Sequence, residues 1–347
     1  MSSPDIFDPA AFAAGTELIS RFTQGAQAVG LIQAALECGL LAAAESPATP
    51  ETLASRTGVS PRLVQEACIA LHALEIFDRQ GDQYRLAPCI EALLHPDAPQ
   101  TLANTLALGA TNMGLLRRAL HPSSSPSPEE RLAVSRGVWG LSSSPVAIES
   151  FLAVDREMPE VRELWLRGAR HMELGCGAGR DLLRVAVPYP ATSVVGVDID
   201  PLVLGEVERQ ARDLGIQDRV ALRLADAREI EDVATFDTIL WSQMFFPAAS
   251  RAATIAAIRR ALKPRGYLLM PLLRDRPASD EALRSAGGRQ LSLNAVIYAS
   301  WSLDRPTASE VQAELEAAGF RHVRTVAHPR TPFMLMREET SRDSSPG

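Results

Sequence analysis

His171-Met172-Glu173-Leu174-Gly175-Cys176-Gly177-Ala178-Gly179 decides the fold. A short apolar run ends in three alternating glycines, and a stretch with helical spacing, Arg180 to Val187, follows at once, so a strand turns tightly into a helix. Glycine alone lets backbone approach a ligand that closely, and the turn therefore marks a nucleotide-type cofactor site. A dinucleotide fingerprint, G-x-G-x-x-G, would place its third glycine at position 180, where this chain has Arg180. The pattern is instead acid-x-G-x-G-x-G, led by Glu173. A second apolar run closes on Val195-Gly196-Val197-Asp198-Ile199-Asp200, and Asp198, 23 positions after Gly175, suits a ribose diol.

Composition narrows the partners. The chain has 347 residues, 46% of them apolar, enough for one large or two medium globular domains. A net charge of −7 argues against a phosphate-coated partner, because nucleic-acid binding leans on basic clusters. No run approaches the eighteen or so apolar residues of a membrane span, and the N-terminus, with Asp5 and Asp8, lacks the basic start of a signal peptide. A soluble cytoplasmic protein with no membrane partner is expected. Cys38, Cys68, Cys89 and Cys176 are far apart and form no C-x-x-C, which suggests neither a metal site nor a redox motif.

Residues 9–45 are rich in Ala and Leu at helical spacing, and such helices must cover one another or a second subunit. Thr49-Pro50-Glu51 opens a short helix that ends near Gly58, and Ser60-Pro61 repeats the device. Ile76-Phe77-Asp78 and Gln83-Tyr84-Arg85-Leu86 then flank the turn Gln80-Gly81-Asp82. Helix, turn, helix and small hairpin read as a winged helix. A DNA-reading role conflicts with its charge, since six acids against four arginines across residues 45–90 would repel phosphate. Pro122 to Pro128 is a Ser/Pro loop within a connecting region at about 101–150, and residues 147–168 look helical. The second half alternates strand-like and helical runs, as a doubly wound parallel sheet does. Phe320 to Val326 and Phe333 to Met336 lie too close for a crossover and require an antiparallel hairpin. The polar tail 338–347 is expected to be mobile.

From Glu173 onward the chain resembles the class I S-adenosylmethionine-dependent methyltransferases. Glu173 to Gly179 resembles their first motif, Gly196 to Asp200 the second, and Leu224-Ala225-Asp226-Ala227 the third. Phe236-Asp237-Thr238-Ile239-Leu240 looks like their fourth strand, and Leu262 to Leu269 like the turn into the fifth. The resemblance implies an α/β fold with a Rossmann-like seven-stranded sheet ending in an antiparallel hairpin. Residues 1–100 are similar to the winged-helix dimerisation domain of small-molecule O-methyltransferases, which implies a homodimer with a catalytic domain at 151–337. The implied cofactor is S-adenosylmethionine, leaving as S-adenosylhomocysteine. Its implied binding residues are Glu173, Gly175, Gly177, Asp198, Ile199, Asp226, Ala227 and Ser242, with Asp198 on the ribose hydroxyls and Asp226 on the adenine amino group.

Methyl transfer is an in-line displacement from an already activated donor, so alignment of the reactants dominates. The resembled O-methyltransferases add a histidine base after the fourth strand. The chain departs there, because Trp241 to Arg251 contains no histidine, aspartate or glutamate. Either the acceptor is a nitrogen or carbon nucleophile needing no base, which is slightly favoured, or an O-methyltransferase has relocated its base; Asp275, past the fifth strand, is the acid to test first. A non-enzymatic reading, a cofactor-binding regulator or scaffold, is the third. Met244, Phe245, Phe246, Tyr298 and Trp301 are expected to wall a pocket for a flat, small natural-product intermediate, with Arg274 available to a substrate carboxylate.

Overall fold

A computed structural model describes residues 7–98, 100–121, 126–139, 145–327 and 331–339. Most of the Ser/Pro loop and nearly all of the polar tail lie outside the described residues. Among those described, no helix is long and apolar enough to cross a membrane. The chain divides into two units, residues 1–106 and 107–347.

The first unit holds α1 (Pro9–Glu37), α2 (Leu40–Ala43), α3 (Pro50–Thr57), α4 (Pro61–Ala73), β1 (Phe77–Gln80), β2 (Gln83–Leu86) and α5 (Pro88–Leu94). Thr49 caps α3 by accepting the Thr52 N–H, and Gly58, at φ 72°, ends it in the left-handed conformation that glycine adopts without strain. β1 and β2 pair antiparallel from Phe77↔Leu86 to Gln80↔Gln83. Leu41, Leu53, Cys68, Leu71, Phe77, Tyr84 and Leu86 form the buried core of this unit. On α1, Phe12, Leu18, Ile19 and Phe22 are all exposed. Helix α6 (Leu102–Arg118) spans the division.

The second unit continues with α7 (Pro128–Trp139), α8 (Pro145–Arg156), α9 (Pro159–Leu166), β3 (Arg170–Leu174), α10 (Arg180–Ala186), β4 (Ser193–Asp198), α11 (Pro201–Asp213), β5 (Val220–Leu224) and β6 (Phe236–Trp241). It closes with α12 (Ala248–Ala261), β7 (Leu262–Pro271), α13 (Asp280–Arg284), α14 (Ala286–Ser300), α15 (Ala308–Ala317), β8 (Phe320–Val326) and β9 (Phe333–Glu338). The helical stretch expected at 147–168 is two helices, because Pro159 starts α9 afresh after the non-helical Met158. Seven strands form one sheet in the order β5-β4-β3-β6-β7-β9-β8. β5, β4, β3, β6 and β7 run parallel, and β9 is antiparallel to both of its neighbours.

Alternation along β3 distributes its side chains between two cores. Met172 and Leu174 pack with Ile239, Trp241 and Leu268 against α12 and α15, through Ile255, Ile258, Val311 and Leu315. The opposite face carries Leu240, Leu269 and Leu335 against Leu182 and Leu183 of α10 and Trp165 of α9. Gly196 lies on that face, where a Cβ would fall 2.8 Å from Leu182 and 3.0 Å from the Cys176 sulfur, so its missing side chain admits α10 to the sheet. Strand order reverses at β3, whose neighbours are β4 and β6. The connections beyond the carboxyl ends of β3 and β6 therefore diverge and leave a crevice, the usual ligand position in an open α/β sheet.

Candidate active site

The glycine loop forms the floor of that crevice. Gly175, Gly177 and Gly179 take φ values of 69°, 51° and 81°, a region costly for other residues. Gly175 and Cys176 both donate their N–H to the Val197 carbonyl, which ties the loop to β4. Space is as restrictive as the dihedral angle: a Cβ on Gly175 would lie 2.8 Å from the Phe246 ring, and one on Gly177 2.6 Å from the Ser135 hydroxyl.

Above the loop is a cavity of about 710 Å³. All eight residues expected to hold the cofactor line it: Glu173, Gly175, Gly177, Asp198, Ile199, Asp226, Ala227 and Ser242. Asp198 accepts the Gly177 N–H on Oδ2 at 2.9 Å and the Asp200 N–H on Oδ1 at 3.0 Å. One backbone donor per oxygen leaves each oxygen a further lone pair, enough for two hydroxyls of a diol. Burial raises the Asp198 pKa, and the backbone N–H groups of Gly177 and Asp200 counter it. Glu173 is 3% exposed, and its Oε2 has no hydrogen-bond partner among the described residues. Burial, reinforced by the charge of Asp181, pushes its carboxyl well above the usual range.

Asp226 stands at the cavity but is already engaged. Arg228 holds it through Nε at 3.0 Å and Nη2 at 2.7 Å, and this pairing lowers its pKa. An adenine amino group would compete with that fork. Ile199, 73% exposed at the end of β4, offers an apolar side chain at the rim of the cavity.

Of the residues expected to wall the acceptor pocket, Met244, Phe245, Phe246 and Trp301 line the cavity, and Tyr298 and Arg274 do not. Tyr298 is withdrawn behind Phe245, its ring centroid 5.9 Å from that ring, and burial raises its hydroxyl pKa to about 12. Beyond β7 the chain leaves the sheet, and Arg274 and Asp275 both lie in exposed loop, with Asp275 absent from the lining. Phe246 stands edge-on to Trp241, their centroids 5.6 Å apart, and so is held between the core and the glycine loop.

Helices were expected within 101–150, but no sequence signal showed that α7 reaches the site. Ser135 accepts the Ala178 N–H at 2.7 Å, Arg131 bonds Asp200 at 2.7 Å, and Arg136 bonds Glu206 at 2.6 Å. One helix thereby closes on the glycine loop and on α11 through three polar contacts. Although burial alone would raise the Glu206 pKa, its bonds from Arg209, Arg136 and Gln210 bring it down to about 2. Val134, next to Ser135, turns into an apolar cluster with Leu115 and Ile297 and lines the cavity. Asp181, on the first turn of α10, also lines the cavity and had no motif to announce it.

The site offers a glycine floor for close approach, an acid with lone pairs left for a diol, and a buried acid with one oxygen unpartnered among the described residues, facing a cation. Comparisons agree. The Methyltransferase domain family matches residues 166–317. The N,N-dimethyltransferase OxyT of Streptomyces rimosus is 25% identical to this chain, over 84% of it and 86% of OxyT. The ubiquinone/menaquinone biosynthesis C-methyltransferase UbiE of Syntrophotalea carbinolica is 31% identical over 49% of this chain and 78% of its own. Several other curated relatives are matched over about half of their own length. Human N-acetylserotonin methyltransferase, solved in complex with SAM, shares the fold at a TM-score of 0.67 and 18% identity, over 98% of this chain and 100% of that one. Fold, glycine loop and relatives converge, and the chain belongs to the S-adenosylmethionine-dependent methyltransferases.

Proposed function

We propose that this enzyme methylates a nitrogen or carbon atom of a small, flat, largely apolar acceptor, a natural-product intermediate, and uses no side chain as general base. Bound in the cavity, S-adenosylmethionine supplies a methyl group activated by the positive sulfur. Asp198 orients the ribose, the glycine loop fixes the methionine portion by close backbone contact, and Glu173 lies where a positive charge is favoured. The remaining walls exclude water and align the acceptor, a contribution on the order of several kcal/mol.

One observation carries the choice of nucleophile. Away from the glycine loop, and apart from the acids Glu173, Asp181, Asp198, Asp200 and Asp226 and the arginines Arg131, Arg180 and Arg228, the lining includes Val134, Ser135, Ser242, Met244, Phe245, Phe246, Pro247, Ala249, Ser250, Pro271, Trp301 and Leu303. None of these is a group that takes up a proton near neutral pH. A phenol has a pKa near 10 and gains roughly 10²–10⁴ in rate from a base, whereas a neutral amine or an electron-rich ring carbon carries its own electron pair. The relatedness to OxyT, named an N,N-dimethyltransferase, over most of both chains supports the same direction. The exposed apolar side chains of α1 support a homodimer formed through the first unit, whose helices and hairpin we assign as a winged-helix dimerisation domain.

The test is incubation with trideuteromethyl-labelled cofactor and matched aromatic acceptors: an arylamine, an indole and a phenol on the same ring frame. Label is expected on nitrogen or ring carbon, located by mass spectrometry and NMR. Transfer to the phenol oxygen alone, with kcat/KM requiring a deprotonated enzyme group of pKa about 6–8, would refute the proposal.

A further inference from the structure

Glu173 sits in the middle of the sheet, where a charged carboxylate is costly. Its strand neighbours in register are Gly196 and Leu240, which offer it no side-chain donor. The Leu182 N–H bonds its carboxyl, while Oε2 is buried and has no hydrogen-bond partner among the described residues. Among the described residues, His171 shares its face of β3, Asp155 lies beyond on α8, and the other charged or titratable neighbours come from three places. α10 contributes Arg180, Asp181 and Arg184, the end of β4 contributes Asp198, and the glycine loop contributes the buried Cys176. Arg184 pairs with Asp155 through Nη1 at 3.1 Å and with Asp181 through Nε at 3.0 Å, and its charge opposes the effect of the acids on Glu173. Arg180 lies over the Phe151 ring, its guanidinium carbon 5.0 Å from the centroid. Glu173, Asp181 and Asp198 stand together on one wall of the cavity.

We propose that Glu173 is a proton-exchanging positioning residue: it is the neutral acid in the free protein and ionises when the cationic cofactor arrives, so that binding releases a proton. Burial and the facing acids favour the protonated form, as the raised pKa of the carboxyl indicates. The ammonium and sulfonium charges of S-adenosylmethionine reverse that preference. The carboxyl O–H bond breaks, the proton passes to buffer, and the carboxylate remains against the cofactor's positive charge. Affinity for the cofactor accordingly rises with pH until Glu173 is already ionised in the free protein.

The test is titration calorimetry of the full chain with S-adenosylmethionine at pH about 6.5, where an α-amino group is already protonated, in buffers of different ionisation enthalpy. The dependence of the measured heat on buffer is expected to report release of about one proton by the wild type and none by Glu173→Gln, with the latter binding about tenfold more weakly or worse. Asp181→Asn removes one facing acid and is expected to lower the proton count while binding persists, which keeps the test open should Glu173→Gln fail to fold. Cofactor binding with no proton release by the wild type would overturn the coupling, as would an equal count in Glu173→Gln. Absence of any cofactor binding would overturn both this inference and the cofactor assignment beneath it.

Discussion

Replacing Asp198 by alanine tests the geometry of the cofactor site directly. The carboxylate holds the Gly177 and Asp200 N–H groups and keeps one lone pair on each oxygen for the ribose hydroxyls. Hydrogen bonds to a charged acceptor contribute about 1.5–3 kcal/mol each. Losing two of them costs about 3–6 kcal/mol, which raises the Kd for S-adenosylmethionine about 10²- to 10⁴-fold. Asparagine is expected to do little better than alanine, since one end of its side chain is an NH₂ that would face a backbone N–H instead of accepting from it. Stability without cofactor is also expected to fall, because the Gly177 and Asp200 N–H groups lose their acceptor, an effect that relief of the buried charge offsets in part. Calorimetry with S-adenosylmethionine and S-adenosylhomocysteine, alongside a thermal melt, separates the two effects. A Kd within threefold of wild type in a folded Asp198→Ala variant refutes the ribose assignment.

Three further outcomes follow from the packing. Gly179→Ala places a Cβ 2.8 Å from both γ carbons of Val207 at a φ of 81°, so left-handed strain and overpacking together cost about 2–5 kcal/mol; an unchanged urea midpoint refutes this. Ser135→Val leaves the Ala178 N–H without its acceptor, at about 1–3 kcal/mol, and hydrogen exchange should show that amide losing protection while the β3 amides keep theirs. Burial and the nearby Arg184 hold the His171 pKa down at about 3, while an unfolded histidine titrates near 6.5, so below pH 6.5 the unfolded chain binds a proton that the native one refuses. Stability is therefore lost as pH falls from 6.5 toward 3, about 2 kcal/mol of it by pH 5, and His171→Gln should lose that much less between pH 7 and 5 in urea titrations.

The floor of the site was legible in sequence because its residues are local to one another. Glu173, Gly175 and Gly177 lie within five positions on a single strand and turn, and Asp198 closes the neighbouring strand. Short-range patterns record such constraints, since backbone conformation and close approach leave few residue types possible. Ser135, 43 positions before Ala178, is held to it by a hydroxyl that any surface helix could carry. Asp226 marks a different limit. Its place was right, yet Arg228, two residues on, competes for both of its oxygens, a fact of side-chain geometry that motif reading cannot supply. The same limit applies beyond β7, where helical spacing put Tyr298 and Trp301 together but only the indole reaches the cavity.

The two faces of β3 and the switch in strand order account for the division of labour in the site. His171 and Glu173 share the face turned to α10, with Arg184, Asp155 and Asp181 beside them, so that side of the sheet carries a buried ionic network running up to the glycine loop. β6, on the far side of the crevice, delivers Ser242, Met244, Phe245 and Phe246, which carry no charge. A cationic donor entering between them is drawn to the acidic side, and its methyl group is presented to the apolar one. Charge is thereby concentrated where the cofactor binds and excluded where the nucleophile must come. On the proposed function, an enzyme so divided gains rate by aligning and desolvating a nucleophile that is already electron-rich, and the labelled-methyl experiment with the phenol, arylamine and indole acceptors decides it.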